Sequence, residues 1–339
     1  MRKNDIKDYT LAELKTALLQ MGQPPYRATQ IFFWLYQKAS RSFDDMDNIP
    51  KGLREQLAQS YYIGGLELRE RLKSKDRSEK FLFKLKDGNF IESVLIYTQS
   101  RKTICLSTQV GCKFACPFCA SGQRGFARNL SPSEITGQIM FLQHRLKQRI
   151  NNYVFMGMGE PLDNFKNVSK AIIIMNTSSG MGIGARRITV STCGIVPGIE
   201  KLKQLKLQVN LSISLHAGND ELRNELVPVN RRYCLDKLIK AGRDFINETG
   251  RMITLEYILI KDKNDSQQNA DELAQVAKKL KAKVNLILYS AIPSLNWQVP
   301  GGRIVKIFMK RLRQRKVNAT LRQSKGEDIQ AACGQLAGR

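Results

Sequence analysis

Cys112, Cys116 and Cys119 stand in GCKFACPFCASG, residues 111–122, spaced CxxxCxxC with no fourth cysteine in the loop. Thiolates at this spacing bind soft metal centres. A zinc ion wants four ligands and would have to borrow one from elsewhere, with Cys105 and His216 as candidates. An iron–sulfur cluster accepts a different arrangement, in which three irons take thiolates and the fourth takes a ligand from outside the chain. Gly111, Ala115, Ala120, Ser121 and Gly122 leave room for a bulky group, which favours the cluster. The chain has seven cysteines, an odd number without the spacing of a disulfide framework. Metal ligands or catalytic thiols are therefore expected rather than structural bridges.

Other short stretches carry residues able to do chemistry. GMGEP, Gly157 to Pro161, reads by itself as a Gly-rich strand-to-helix turn that also offers a carboxylate, Glu160. Cys333 lies in AACGQLAG, where Ala331, Ala332 and Gly334 would let a folded-back terminal segment approach a bound group closely. Taken alone, Glu92 in FIESVLI is a strand's solvent-side carboxylate. Cys193 and Cys234 are assigned to packing, since a free cysteine behaves as a small hydrophobe.

The elements that must position these residues are legible as changes of period. TLAELKTALLQMG and PYRATQIFFWLYQKA have apolar residues at helical spacing, and PKGLREQLAQSYY opens with Pro at a first helical position. From 66 to about 98 the period becomes two: LELRERLK, EKFLFKL and NFIESVLIY predict a small sheet or hairpins. From Thr103 onward strand and helix alternate. The candidate strands are TICLST, NYVFMG, RITVST, VNLSISL, ITLEYILI and VNLILYS, separated by amphipathic segments such as SPSEITGQIMFLQHRL and DSQQNADELAQVAKKL. Six such units predict an α/β fold built on an incomplete parallel (β/α)6 barrel. Its chemistry belongs at the carboxyl ends of the strands. The cysteine loop, GMGEP, STCG and SLHAGND all fall there. The expected division is 1–65, a helical accessory domain; 66–100, a small β extension; 101–325, the partial barrel; and 326–339, a segment carrying Cys333.

Composition narrows the class further. Fifty-five Lys and Arg against thirty Asp and Glu leave a net charge of +25. An excess this large repels itself unless something anionic is near, and a phosphate backbone is the commonest such partner. The charges are spread through 145–149, 186–187, 231–232, 278–283 and 310–316, so a broad face on a large folded RNA is expected. The longest aliphatic run, Ala171 to Met175, falls far short of the roughly 20 residues that span a bilayer. The start, MRKNDIKDYTLAELK, has no apolar core of a signal peptide. A soluble, cytoplasmic protein with no membrane partner is expected.

Taken together the motifs carry a resemblance. CxxxCxxC after the first strand of an α/β barrel resembles the radical S-adenosylmethionine (SAM) superfamily, in which the unique iron is chelated by SAM itself. More closely, the chain is similar to the RlmN/Cfr adenine methyltransferases of ribosomal and transfer RNA. The match runs through PYRATQI, TICLSTQVGCKFACPFCASG, GFARNL, FMGMGEPL, RRITVST, SISLHA, VPVN and DIQAACGQLAG. The resemblance implies a [4Fe-4S] cluster on Cys112, Cys116 and Cys119. It implies SAM contacts from Gly159, Glu160, Ser191, Ser214, Leu215 and His216, and an RNA-binding role for the helical domain. After the sixth strand the family usually has Asn, whereas this chain has Ser290, a shorter side chain that weakens the contact. Cys333 matches the thiol that carries the methyl group, Cys105 the thiol that resolves the RNA adduct, and Glu92 a carboxylate acting as proton acceptor.

The adenine carbons C2 and C8 are poor nucleophiles and cannot take SAM's methyl directly, whereas a thiolate can. Cys333 would be methylated first, and a 5′-deoxyadenosyl radical from a second SAM would remove hydrogen from that S-methyl. The methylene radical adds to the base. After electron loss and deprotonation, Cys105 attacks the Cys333 sulfur, leaving a disulfide and the methylated base. The implied product is 2-methyladenine in 23S rRNA (adenine 2503), with tRNA (adenine 37) as a second substrate. A low-potential donor such as flavodoxin or ferredoxin would serve a monomeric enzyme. Two alternatives stay open: C8 methylation as in the Cfr branch, and a zinc-dependent RNA-binding module without turnover.

Overall fold

The computed structural model describes residues 3–292 and 294–338; Met1, Arg2, Pro293, Arg339 and the side chain of Arg145 lie outside the described residues. Three helices open the chain: α1 (Leu11–Gln20), α2 (Tyr26–Tyr36) and α3 (Lys51–Ser60). A capping box starts α1, with Thr10 Oγ1 accepting from the Glu13 N–H and Glu13 accepting from the Thr10 N–H. Two short strands, β1 (Asn4–Asp5) and β2 (Tyr61–Tyr62), pair in parallel and tie the ends of this layer together. Leu14, Leu18, Phe32, Leu35, Leu53 and Leu57 fill its own core, and Ile174 from the barrel layer packs into the same cluster.

Three antiparallel strands follow, β3 (Glu67–Lys73), β4 (Glu79–Lys84) and β5 (Phe90–Tyr97). They are not a separate sheet. β5 pairs antiparallel with β6 (Lys102–Cys105), the first barrel strand, so the extension continues one 10-stranded sheet. A two-stranded flap, β7 (Gln109–Gly111) with β8 (Phe126–Asn129), stands over the end of β6, and the short helix α4 (Ala120–Gln123) lies between its strands. Parallel units then run through α5 (Pro132–Met140), β9 (Asn152–Phe155), α6 (Phe165–Asn176), β10 (Ile188–Thr192), α7 (Val196–Gln204) and β11 (Asn210–Ser214). Beyond them come α8 (Asp220–Leu226), α9 (Leu235–Thr249), β12 (Ile253–Leu259), α10 (Gln267–Leu280), β13 (Lys283–Leu288), α11 (Gly302–Gln314) and β14 (Ala319–Arg322).

All six expected barrel strands are present, each parallel to the next. A seventh, β14, adds to β13 in parallel. The short stretch ATLR lies among basic and polar residues, and its exposed positions hide the alternation that would mark a strand. The sheet order ends at β14 on one side and β3 on the other, so the barrel stays open. Inside, the helices pack on strands buried on both faces, which read as near-continuous apolar runs. Gln138 of α5, fully buried, accepts from Ser93 Oγ at 2.6 Å and from the Ser107 N–H at 2.9 Å, fastening the β extension to the loop after β6.

Candidate active site

The cysteine loop hangs between the two strands of the flap. Gly111 has φ +73°, and a Cβ there would meet the Gly125 carbonyl oxygen at 1.8 Å, so only glycine allows the turn into Cys112. The Cys112 N–H donates to Gly125 O at 2.8 Å and the Cys119 N–H to Cys116 O at 3.0 Å. Cys112, Cys116 and Cys119 all open on a cavity of about 170 Å³. Burial raises all three thiols, Cys112 up to about 12, so a metal group that they ligate must displace their protons.

Across that cavity stand the ends of β9, β10 and β11. Gly159 has φ +91°, and a Cβ there would sit 2.4 Å from the Gln109 Cβ. Glu160 is 4 % exposed; its Oε1 accepts from the Leu162 N–H at 2.9 Å and its Oε2 from the Cys193 N–H at 2.8 Å. Burial raises this carboxyl. Ser191 Oγ and Ser214 Oγ face each other at 3.5 Å. His216, at φ +59°, accepts from the Ile258 N–H through Nδ1 at 3.0 Å, which leaves Nε2 as the proton-bearing nitrogen. Its ring meets Phe118 edge-on at 4.8 Å. Burial, then the neighbouring Arg223, pushes the imidazole down to about 3.

A second cavity of about 680 Å³ adjoins the first and runs down the polar bore of the barrel. Cys105, at the end of β6, opens on it, and Cys333 lines both cavities. The terminal segment reaches this place through many bonds. The Ala120 N–H donates to Gly334 O at 2.7 Å, Ser121 Oγ to Leu336 O at 2.5 Å, and Gln335 Nε2 to Ala291 O at 2.8 Å. Glu92 holds the same segment: its Oε2 accepts from the Ala337 and Gly338 N–H groups at 2.7 and 2.8 Å, and its Oε1 pairs with Lys80 at 3.1 Å. Burial pushes the Cys105 thiol up to about 12, with Cys333 adding to the rise.

Several residues differ from the sequence reading. Glu92 is 2 % exposed rather than solvent-facing, and is not among the residues lining either cavity. Ser290 is likewise absent from both linings; it is buried and donates to Ser324 Oγ at 3.3 Å. Leu215 offers only backbone, its side chain being core. Cys193, assigned to packing, does pack against the apolar cluster of Phe118 and Ile258, and it also lines the cavity of the three loop cysteines, because a residue one step past a strand end faces the barrel mouth. Cys234 precedes α9 away from both cavities. Two residues went unnoticed. Glu256 stands on the wall between the cavities, and its signal was a lone carboxylate inside the apolar run ITLEYILI. Arg223 is fully buried, donating to Leu215 O, Ser214 O, Cys193 O and Asn230 Oδ1; in DELRNEL nothing separates it from a surface charge.

An open parallel sheet with three thiols in a loop after its first parallel strand is the architecture of one enzyme class. Residues 106–274 match the model of the Radical SAM superfamily. Residues 4–63 match the ribosomal RNA large subunit methyltransferase N-terminal domain. The dual-specificity RNA methyltransferase RlmN of Syntrophus aciditrophicus is 43% identical over 341 residues, covering 100% of this chain and 98% of its own. A probable RlmN of Clostridioides difficile is 42% identical over 336 residues, covering 99% and 98%. A solved radical SAM methyltransferase from Sphaerobacter thermophilus superposes with a TM-score of 0.93 at 43% identity, covering 99% of this chain and 100% of its own. The chain belongs to the RlmN family of radical SAM RNA methyltransferases. Among the described residues no helix is long and apolar enough to cross a membrane.

Proposed function

We propose that this enzyme methylates C2 of an adenine in 23S rRNA (adenine 2503), and of adenine 37 in tRNA, through a methyl group carried on Cys333. The observation that carries this reading is the pair of thiols, Cys105 and Cys333, open on one cavity that shares a wall with the cavity of the three loop cysteines. The residues of the smaller cavity fit the cofactors of the class. Three thiols line it, the buried guanidinium of Arg223 supplies positive charge behind Cys116, and Gly159 and Gly334 sit where a Cβ would collide with neighbouring atoms. Cys112, Cys116 and Cys119 would hold a [4Fe-4S] cluster. Glu160 and the Gly159 carbonyl would take the SAM ammonium, and Ser191, Ser214 and the His216 Nε2–H the rest of the molecule. Bound together, cluster and SAM supply a 5′-deoxyadenosyl radical.

This chain's own residues do the remainder. Cys333 presents the methyl over the larger cavity, where the base would enter, and Cys105 waits in that cavity to displace the product from the Cys333 sulfur. Glu92, assigned by resemblance as proton acceptor, keeps the terminal segment closed through its three partners. Residues 1–65 carry nine Lys and Arg against seven Asp and Glu, so the barrel side supplies nearly all of the net charge that would hold RNA. A low-potential flavodoxin or ferredoxin would deliver electrons to a monomer in the cytoplasm. Mass spectrometry of rRNA and tRNA nucleosides from a deletion strain tests the reading. Loss of 2-methyladenosine supports it, and loss of 8-methyladenosine would move the chain to the Cfr chemistry.

A further inference from the structure

Glu256 occupies a place that a structural carboxylate would avoid. It lies in β12, between apolar neighbours, and is 5 % exposed. Oε1 accepts from Asn285 Nδ2 at 3.0 Å and from Ser212 Oγ at 3.4 Å. Oε2 is buried and, among the described residues, has no hydrogen-bond partner. Leaving a buried acceptor unmade costs free energy, so such an oxygen calls for an explanation. Thr254, two residues back and also lining the bore, shows that a neutral hydroxyl can serve at such a position. The carboxylate stands on the wall between the two cavities, and Cys333 and Arg322 stand on the same wall.

We propose that Glu256 is the proton acceptor that makes the Cys333 thiol the nucleophile of the first methyl transfer. This rests on the reading of Cys333 as methyl carrier. A sulfonium methyl is attacked by thiolate rather than thiol, so the Cys333 thiol, exposed on the cavity wall it shares with Glu256, needs an acceptor for its proton. The Cys333 S–H bond breaks, its proton passing to Glu256 Oε2 while the electron pair remains on sulfur. That pair forms the S–CH3 bond as the bond between the methyl and the SAM sulfur breaks, giving S-adenosylhomocysteine and a neutral Glu256. The proton returns to solvent along the polar larger cavity. Two further observations agree. Glu256 and Cys333 line the same two cavities, and the carboxylate's charge raises the thiol while Arg322 lowers it. Glu92, by contrast, has both carboxylate oxygens engaged by Lys80 and the terminal backbone.

The test uses reconstituted holoenzyme without RNA. In Glu256→Gln, iron content and SAM affinity by equilibrium dialysis should match the wild type. Methyl loading of Cys333 in a single turnover, read as one added methyl in the intact mass, should slow by about 100-fold or more. In Glu256→Ala, added propionate should restore loading, while leaving Cys333→Ala unmethylated. Loading of Glu256→Gln at the wild-type rate would overturn the proposal. So would a loss of loading in step with SAM affinity and without propionate rescue, since Glu256 would then be a structural prop. A wild-type enzyme that never gains a methyl on Cys333 overturns the carrier reading itself, a result seen before any Glu256 variant is compared.

Discussion

In the proposed mechanism Cys105 and Cys333 divide one task, and their variants should fail in different ways. Cys333→Ala should keep its brown cluster yet form no covalent RNA complex. Cys105→Ala should accept the methyl and add it to adenine without releasing it, and should purify with RNA attached through Cys333. Denaturing gels before and after nuclease digestion distinguish the two, and wild-type turnover in Cys105→Ala would refute the assignment. His216 gives a residue-scale prediction about pH. Its imidazole is held at about 3 in the folded chain against an ordinary 6.5. Between those values the unfolded chain binds more protons, so stability is present above about pH 6.5 and is lost as pH falls toward 3. Each unit is about 1.4 kcal/mol, several kcal/mol over the whole window. Glu160 and Glu256, raised by burial, act with the opposite sign, so the variant must be compared with the wild type. Urea unfolding at pH 7 and pH 5 should show a smaller loss on acidification in His216→Asn than in the wild type.

At the scale of elements, the strand ends and the terminal segment are held by buried charges with many partners. Arg223 binds the carbonyls that finish β10 and β11, so it sets the spacing of Ser191 and Ser214. Arg223→Met takes a donor from four buried acceptors, of which Leu215 O keeps the Ala217 N–H. At roughly 1–3 kcal/mol for each buried unsatisfied group, partly relieved by relaxation, a loss of about 3 kcal/mol or more is expected in urea titration. SAM affinity should fall with it. The segment 331–338 depends on Glu92 in the same way. Hydrogen bonds to a charged group are worth about 1.5–3 kcal/mol each, so Glu92→Gln should free the terminus. Carboxypeptidase should then remove residues beyond Cys333 far faster than in the wild type, and methyl loading should drop even without RNA. Unchanged digestion would mean that the bonds from Ser121, Ala120, Gln335 and Arg124 hold the segment without Glu92.

For the whole molecule, the +25 charge must be met by phosphate if the enzyme is to grip RNA. The logarithm of RNA affinity should fall with the logarithm of salt, by about 0.7 to 0.9 for each phosphate neutralised. Filter binding between low and physiological salt measures that slope. Replacing exposed cations of the barrel side, such as Arg231 and Arg232, should lower it more than replacing Lys51 and Arg54 of α3. An equal effect from both regions would place the RNA across the helical layer as well.

The sequence by itself determined the six consecutive parallel strands β6 and β9 to β13, because alternation and apolar runs report burial directly. It also determined the cysteine loop, because ligand spacing is local. The capping contacts of Thr10, Ser131 and Ser266 at the starts of α1, α5 and α10 span three residues and are equally local. What lies opposite what was decided only by tertiary structure. Period two puts Thr254 and Glu256 on one face of β12, but the curvature of the open sheet and the bonds of a segment far along the chain bring Glu256 and Cys333 to the wall of the same cavities. The same closure turned Glu92 from a surface carboxylate into an anchor and brought Cys193 to the cavity mouth. Local spacing carries no information about such distances, since they are set by how seven parallel strands curve before the sheet stops.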